Sequence, residues 1–122
     1  MSYTVEKIDH VNLRIPVGTE FEAEGFWIGL LGFENVPKPP ANAARGGRWF
    51  SRGSFEVHVS PAVDFQPATG SHIAFRVQGL DELIGRFSAA GVKHTPNAGP
   101  KEHPTSYFAI DPFGNRLEFI AV

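Results

Sequence analysis

Two histidines and two glutamates occupy matching places in the two halves of this 122-residue chain. His10 begins the run His-Val-Asn-Leu-Arg-Ile, and His72, 62 residues later, begins His-Ile-Ala-Phe-Arg-Val. The same offset carries Glu56, within Phe-Glu-Val, onto Glu118, within Leu-Glu-Phe. Imidazole nitrogen and carboxylate oxygen are donors for Ni, Zn, Mn, Co or Fe(II). The four residues therefore form a candidate divalent-metal set.

The residues around these four alternate between apolar and polar, which is the pattern of half-buried strands. Alternation predicts one polar face that carries His10, Asn12, Arg14, Glu56, His58, His72, Ala74, Arg76, Arg116 and Glu118. Four protein ligands on an open sheet face leave one or two positions for water or substrate. The pattern therefore favours a catalytic metal over a structural one.

His58 lies on the same predicted face as Glu56, and its role has three alternatives. It could replace Glu56 as a ligand, contact a ligand from behind, or carry protons. The repeat favours Glu56 as the ligand, because the offset of 62 maps His58 onto Ile120.

Two arginines on the face could bind an anionic group, because guanidinium matches carboxylate and phosphate geometry. Arg14 is the stronger candidate, and a surface ion pair is the simpler interpretation of Arg76. The candidate substrate-binding residues are Asn12, Arg14, His58, Arg76 and Tyr107. A solvated rim is the simpler interpretation of the bordering residues Arg45, Arg48, Lys101, His103 and Tyr107.

Each half predicts the same order of elements, a strand, a helix and then two or three strands, so the chain predicts an α+β fold of two β-α-β-β-β modules. A capping box, Thr19 to Glu22, begins a predicted helix over residues 19–31. In the second half an apolar stripe including Leu80 and Phe87 predicts a helix that ends at Gly91. The later strands are predicted at residues 48–51, 55–59, 107–110 and 116–120. Residues 34–47 and 95–106 are predicted as loops without their own structure, either binding loops or floppy connections.

Length and composition limit the range of functions. The chain has the size of one domain, residues 1–122, with modules at about 5–62 and 68–122. It has no cysteine, which excludes thiolate catalysis and cysteine-ligated metals. A net charge of −2 gives no attraction to nucleic acid, and no apolar run is long enough to span a membrane. A cytoplasmic location is the default expectation.

Over nearly its whole length the chain resembles the vicinal oxygen chelate superfamily, the glyoxalase, bleomycin-resistance and extradiol-dioxygenase group. The resemblance rests on residues 8–14, 26–33, 55–57, 71–75 and 111–118. It implies paired modules that form cup-shaped half-barrel sheets, a small-molecule substrate and a homodimer.

Within that superfamily His10, Glu56, His72 and Glu118 match the glyoxalase I pattern of Ni or Zn ligands. This resemblance implies a lyase or isomerase in which Glu56 or Glu118 moves a proton, and Arg14 matches an arginine that helps to hold glutathione. The alternatives are a fosfomycin-type thiol transferase with His10, His72 and Glu118 as ligands, an extradiol dioxygenase, and a metal-free binding protein of the bleomycin-resistance kind.

Overall fold

The chain folds into two compact units, Met1–Val63 and Asp64–Val122, each built around a four-stranded mixed sheet. The computed structural model describes residues 2–99 and 105–122. Lys101 and His103, two of the predicted rim residues, lie outside the described residues. The predicted α+β fold with two β-α-β-β-β modules is confirmed.

Module 1 has the sheet order β1-β4-β3-β2. Its elements are β1 (His10–Pro16), α1 (Glu20–Glu24), a π-helix (Gly25–Leu30), β2 (Glu34–Val36), α2 (Pro40–Ala43), β3 (Arg48–Arg52) and β4 (Phe55–Ala62). Strands β1 and β4 run parallel, and their alternation buries Ile15 and Val57 completely. The opposite face carries the polar residues of β1, as the sequence predicts.

The first predicted helix differs from the structure at its start and along its length. Thr19 makes no side-chain capping bond to the helix, because its backbone, at φ −110° and ψ 20°, is not in the extended conformation of a usual N-cap residue; its hydroxyl donates to the carbonyl of Pro16 at 2.6 Å. After α1 the helix widens into the π form, in which the N–H of Leu31 donates to the carbonyl of Phe26 at 3.0 Å. Phe26 and Trp27, adjacent in sequence, are both buried there.

Module 2 has the corresponding order β5-β8-β7-β6. Its elements are β5 (Ile73–Val77), α3 (Leu80–Ala90), β6 (His94–Pro96), β7 (Ser106–Ile110) and β8 (Arg116–Ala121). Helix α3 packs on the sheet through Phe87, whose ring meets that of Phe119 edge-on with centroids 5.3 Å apart. It ends at Gly91 in the left-handed conformation, where the N–H of Val92 reaches back to the carbonyl of Phe87.

Both predicted loops contain regular structure that the sequence pattern does not indicate. Residues 34–47 hold β2 and α2, and residues 95–106 begin within β6. Each of these short strands is held by three antiparallel pairs with its neighbour, β2 with β3 and β6 with β7. No helix among the described residues is long and apolar enough to cross a membrane.

Candidate functional site

The first histidine of each module is held by an oxygen acceptor at its Nδ1 atom. His10 Nδ1 lies 2.9 Å from the Asp9 carboxylate, and His72 Nδ1 lies 3.1 Å from the carbonyl of Gly70. A neutral His10 ring that donates to Asp9 through Nδ1–H carries its lone pair on Nε2, whereas His72 has an oxygen acceptor at each ring nitrogen. The hydrogen bond from His10 lowers the pKa of Asp9. An oxygen acceptor at one ring nitrogen is the usual support for a histidine that binds metal through the other.

In module 2 the Nε2 atom of His72 faces a carboxylate. It lies 3.1 Å from Glu118 Oε1, and both side chains are largely shielded from solvent, with 29% and 14% exposed. A lone pair and a carboxylate oxygen at this distance repel each other unless a proton or a metal ion lies between them. Two adjacent ligands at about 2.1 Å from one ion would themselves be about 3.0–3.4 Å apart. The distance of 3.1 Å matches two ligands of one divalent ion, and it also matches a hydrogen bond from Nε2–H to the carboxylate.

Two residues that the sequence analysis missed complete the surroundings of this pair. Asn97 donates through Nδ2 to the second oxygen of Glu118 at 3.4 Å, and Phe108 meets the His72 ring edge-on at 5.5 Å. Phe108 is the residue of β7 directly opposite Glu118. Strand alternation could have placed Phe108 on this face, whereas no local pattern marks Asn97.

In module 1 the His58 ring lies between two other rings. It stacks on His10 with centroids 3.9 Å apart and on Trp49 at 4.5 Å. His58 is buried, and its Nε2 atom lies 2.8 Å from Glu56 Oε1. A carboxylate only accepts, so His58 donates to Glu56 through Nε2–H. Glu56 and His58 thus form a carboxylate–imidazole pair beside His10.

The strand registers correct the symmetry that a single offset predicts. In module 1 Asn12 pairs with His58, and in module 2 Ala74, which is 62 residues further on, pairs with Glu118. His58 is therefore the structural counterpart of Glu118. Ile120, which the offset assigned to His58, pairs with Arg76 as Ser60 pairs with Arg14. The two parallel registers thus differ by two residues from the uniform offset.

The predicted substrate-binding residues do not all lie on the polar face of their own sheet. Asn12 and Arg14 both contact Ser60 Oγ, at 2.9 and 3.3 Å, and Arg76 is exposed on β5. Tyr107 pairs with the core residue Phe119, so it lies on the opposite side of its sheet from Glu118.

A cavity of about 310 Å³ lies in module 1. Its walls come from β1, β3, β4 and the segment 38–46, and its lining residues are Asn12, Arg14, Lys38, Asn42, Arg45, Gly46, Trp49, Val59, Ser60 and Pro61. Sequence reasoning missed Lys38 and Asn42 and assigned Arg45 to a solvated rim. Trp49 connects the cavity with His58, because it contacts both.

Within the described parts of the chain, no group of three or more His, Asp or Glu side chains is gathered as a metal site. The predicted donors occur instead as the pairs His72 with Glu118 and His58 with Glu56, together with His10.

The chain is similar to known proteins over nearly its whole length. The family model of the Glyoxalase/Bleomycin resistance protein/Dioxygenase superfamily matches residues 4–119. A crystal structure of a glyoxalase family protein from Bacillus anthracis is 36% identical and superposes with a TM-score of 0.92, covering 99% of this chain and 98% of that one. A comparison with curated proteins finds no match.

More distant structures share the fold. An integron cassette protein from the metagenome of a Halifax Harbour sewage outfall is 20% identical, with a TM-score of 0.77 and coverage of 97% of this chain and 100% of that one. The fosfomycin resistance protein FosX of Listeria monocytogenes, as a mutant complexed with Mn(II) and 1S,2S-dihydroxypropylphosphonic acid, is 18% identical. Its TM-score is 0.83, with coverage of 97% of this chain and 93% of that one.

Proposed function

The chain belongs to the Glyoxalase/Bleomycin resistance protein/Dioxygenase superfamily, and on that premise we propose that it is a metal-dependent enzyme. The reaction is of lyase or isomerase type, on a small substrate with adjacent oxygens. The observation that carries the proposal is the contact between His72 and Glu118, in which a ring nitrogen and a carboxylate oxygen meet at 3.1 Å. A second support is that a structural neighbour, FosX, has been crystallised with Mn(II).

The proposed ligands are His10, Glu56, His72 and Glu118, with Glu56 kept in preference to His58 because the Nε2–H of His58 is engaged by the Glu56 carboxylate. Both histidines have Nδ1 held by an oxygen, which leaves Nε2 to bind the ion. A divalent ion held by this set would supply Lewis acidity to substrate oxygens and stabilise negative charge that develops on them. A donor set of two imidazoles and two carboxylates suits Mn, Fe(II), Co, Ni or Zn.

We assign proton transfer to Glu56, with Glu118 as the alternative base. Glu56 Oε1 already accepts a hydrogen bond from His58 at 2.8 Å, which holds the carboxylate in one orientation. Because His58 already donates to Oε1, we assign uptake of the proton to the other oxygen, Oε2, while His58 holds the carboxylate in place from between His10 and Trp49. Glu118 has one oxygen facing His72 and the other facing Asn97, an arrangement better suited to holding a cation.

We further propose that the chain forms a homodimer. The sheet order puts β1 at the outer edge of module 1, where its free side could pair with another strand. Val5, Ile8 and Phe21 are also exposed in this module, at 72–87%. Light scattering on the purified protein should give twice the chain mass, and a monomer at micromolar concentration would contradict this proposal.

The test of function is a thermal melt of chelator-stripped protein with and without Mn, Fe(II), Co, Ni and Zn. An ion present at 100 times its Kd stabilises the native state by about 2.7 kcal/mol, which is several degrees for a chain of this size. Glu118→Gln should lose this shift. Glu56→Gln should keep more of it than Glu118→Gln does, and should lose turnover in a glyoxalase assay run with the stabilising ion.

His94 offers a matched control for His72. Its Nδ1 is also held by a carbonyl, that of Val92 at 2.9 Å, but its Nε2 faces the Ser88 hydroxyl at 3.5 Å and not a carboxylate. His72→Ala should remove the metal-induced shift, and His94→Ala should keep it. No shift with any ion would favour the metal-free binding protein instead.

A further inference from the structure

The segment between β2 and β3 builds one wall of the module 1 cavity. Lys38, Asn42 and Arg45 come from this segment, and Gly46 and Gly47 return the chain to β3. Both glycines have positive φ, at 75° and 85°. A Cβ on Gly47 would lie 2.3 Å from the carbonyl oxygen of Val59, so only glycine lets the wall approach β4 this closely.

The cavity is lined by positive charge. Arg14, Lys38 and Arg45 contribute three cationic groups, and no aspartate or glutamate is found among the described lining residues. Burial lowers the pKa of Lys38, and the charges of Arg48 and Arg45 lower it further, although Glu20 opposes them. The Glu20 carboxylate lies outside the lining, where it accepts the Gly47 N–H at 2.8 Å. Clustered cations with no carboxylate in the lining create a positive potential in the cavity.

Ser60 adds a neutral donor to this lining. Its oxygen accepts hydrogen bonds from Asn12 Nδ2 at 2.9 Å and from Arg14 Nη1 at 3.3 Å. A hydroxyl has two lone pairs and one hydrogen, so these two contacts leave the O–H to donate elsewhere. Lys38 likewise has three N–H donors, of which one reaches the carbonyl of Gly46. The lining thus offers hydrogen-bond donors together with positive charge.

We propose that this cavity binds the oxyanion group of a small organic acid, a carboxylate, phosphate or phosphonate, through Lys38, Arg45 and Ser60. Its volume of about 310 Å³ is at the lower end for small-molecule sites. Asn12 in the lining is two residues from His10 on the same face of β1, roughly 7 Å along the strand. Anion binding in this cavity is independent of the proposed function. The further statement that the bound acid is the substrate of the metal-dependent enzyme rests on the proposed function.

The test is a titration with inorganic phosphate or acetate, at constant ionic strength and with EDTA present, followed by backbone amide chemical shifts. Saturable shifts are expected at the amides of Arg45, Gly47 and Ser60. Arg45→Gln should weaken phosphate binding about tenfold, the usual effect of losing one charge-assisted contact, and Ser60→Ala should weaken it several-fold. Arg45 is exposed, so its replacement leaves the core intact.

Arg52→Gln is the matched control, because Arg52 is exposed in the same module, lies outside the cavity and loses the same charge. It should bind phosphate as the wild type does. Equal losses in Arg45→Gln and Arg52→Gln, or shifts scattered over the surface without saturation, would overturn the proposal. EDTA is present throughout, so this titration tests anion binding without any metal ion. If phosphate binds in the cavity but the metal titrations show no metal site, the proposed function is contradicted and the anion site is not.

Discussion

Gly47→Ala should be among the most destabilising single-methyl additions to module 1. The residue is buried where the cavity wall meets β4, and its φ is 85°. The added Cβ would lie 2.3 Å from the Val59 carbonyl oxygen, well inside the 3.0 Å limit below which something must shift. That oxygen belongs to the backbone of β4, which is paired on both sides by β1 and β3, so it cannot move cheaply.

The expected loss has two parts. Left-handed backbone costs an alanine about 1–2 kcal/mol wherever it occurs. Overpacking against a fixed neighbour adds about 1–3 kcal/mol. Gly18 measures the backbone cost alone, because its φ of 81° is close to that of Gly47 and a Cβ there meets nothing within 4 Å. Gly18→Ala should therefore lose about 1–2 kcal/mol, and Gly47→Ala about 2–5 kcal/mol.

Urea unfolding followed by circular dichroism measures both losses on the same scale. A difference of at least about 1 kcal/mol between the two variants is expected, with equal m-values. Gly47→Ala should also weaken phosphate binding, because the wall must move away from β4. Equal stability losses in the two variants would refute the close approach of the wall to β4.

Two other predictions concern hydrogen bonds. The hydrogen bond from the Gly47 N–H lowers the pKa of Glu20 in the folded protein. The stability that this bond adds is complete above the unfolded pKa of about 4.5 and is lost as the pH falls through the lowered folded pKa. Glu20→Gln should thus cost about 1 kcal/mol at pH 7 in urea unfolding and nothing at pH 2, and a constant difference across pH would contradict the assignment. Asn115→Ala should cost about 2–4 kcal/mol, because the fully buried amide joins the Asp111 carboxylate and the Ala68 N–H, each at 2.9 Å. A loss below about 0.5 kcal/mol would show that these contacts are replaced by water.

The sequence predicted the elements in which one-sided burial imposes a regular spacing of apolar residues. The alternation of β1 predicts that Leu13 and Ile15 are buried and that His10, Asn12 and Arg14 face the other way, and this is confirmed. The helix that ends at Gly91 is confirmed for the same reason, since its apolar stripe and left-handed stop are both local.

Features that no local apolar pattern encodes were missed or predicted wrongly. Strands β2 and β6 have three residues each and are held by their neighbours, so no internal pattern marks them. The Thr19 capping box was wrong because the Thr19 backbone, at φ −110° and ψ 20°, is not in the extended conformation of a usual N-cap residue. The equivalence of His58 with Glu118 is invisible to a single offset, because paired positions of the two parallel strands are 46 residues apart in module 1 and 44 residues apart in module 2.

The most direct test of the account is a calorimetric titration of chelator-stripped protein with Mn(II). We expect saturable binding of one ion per chain, weakened at least a hundredfold by His72→Ala and by Glu118→Gln and unchanged by His94→Ala. Absence of Mn(II) binding, or binding that survives in both His72→Ala and Glu118→Gln, would contradict the proposal that His72 and Glu118 hold a metal ion.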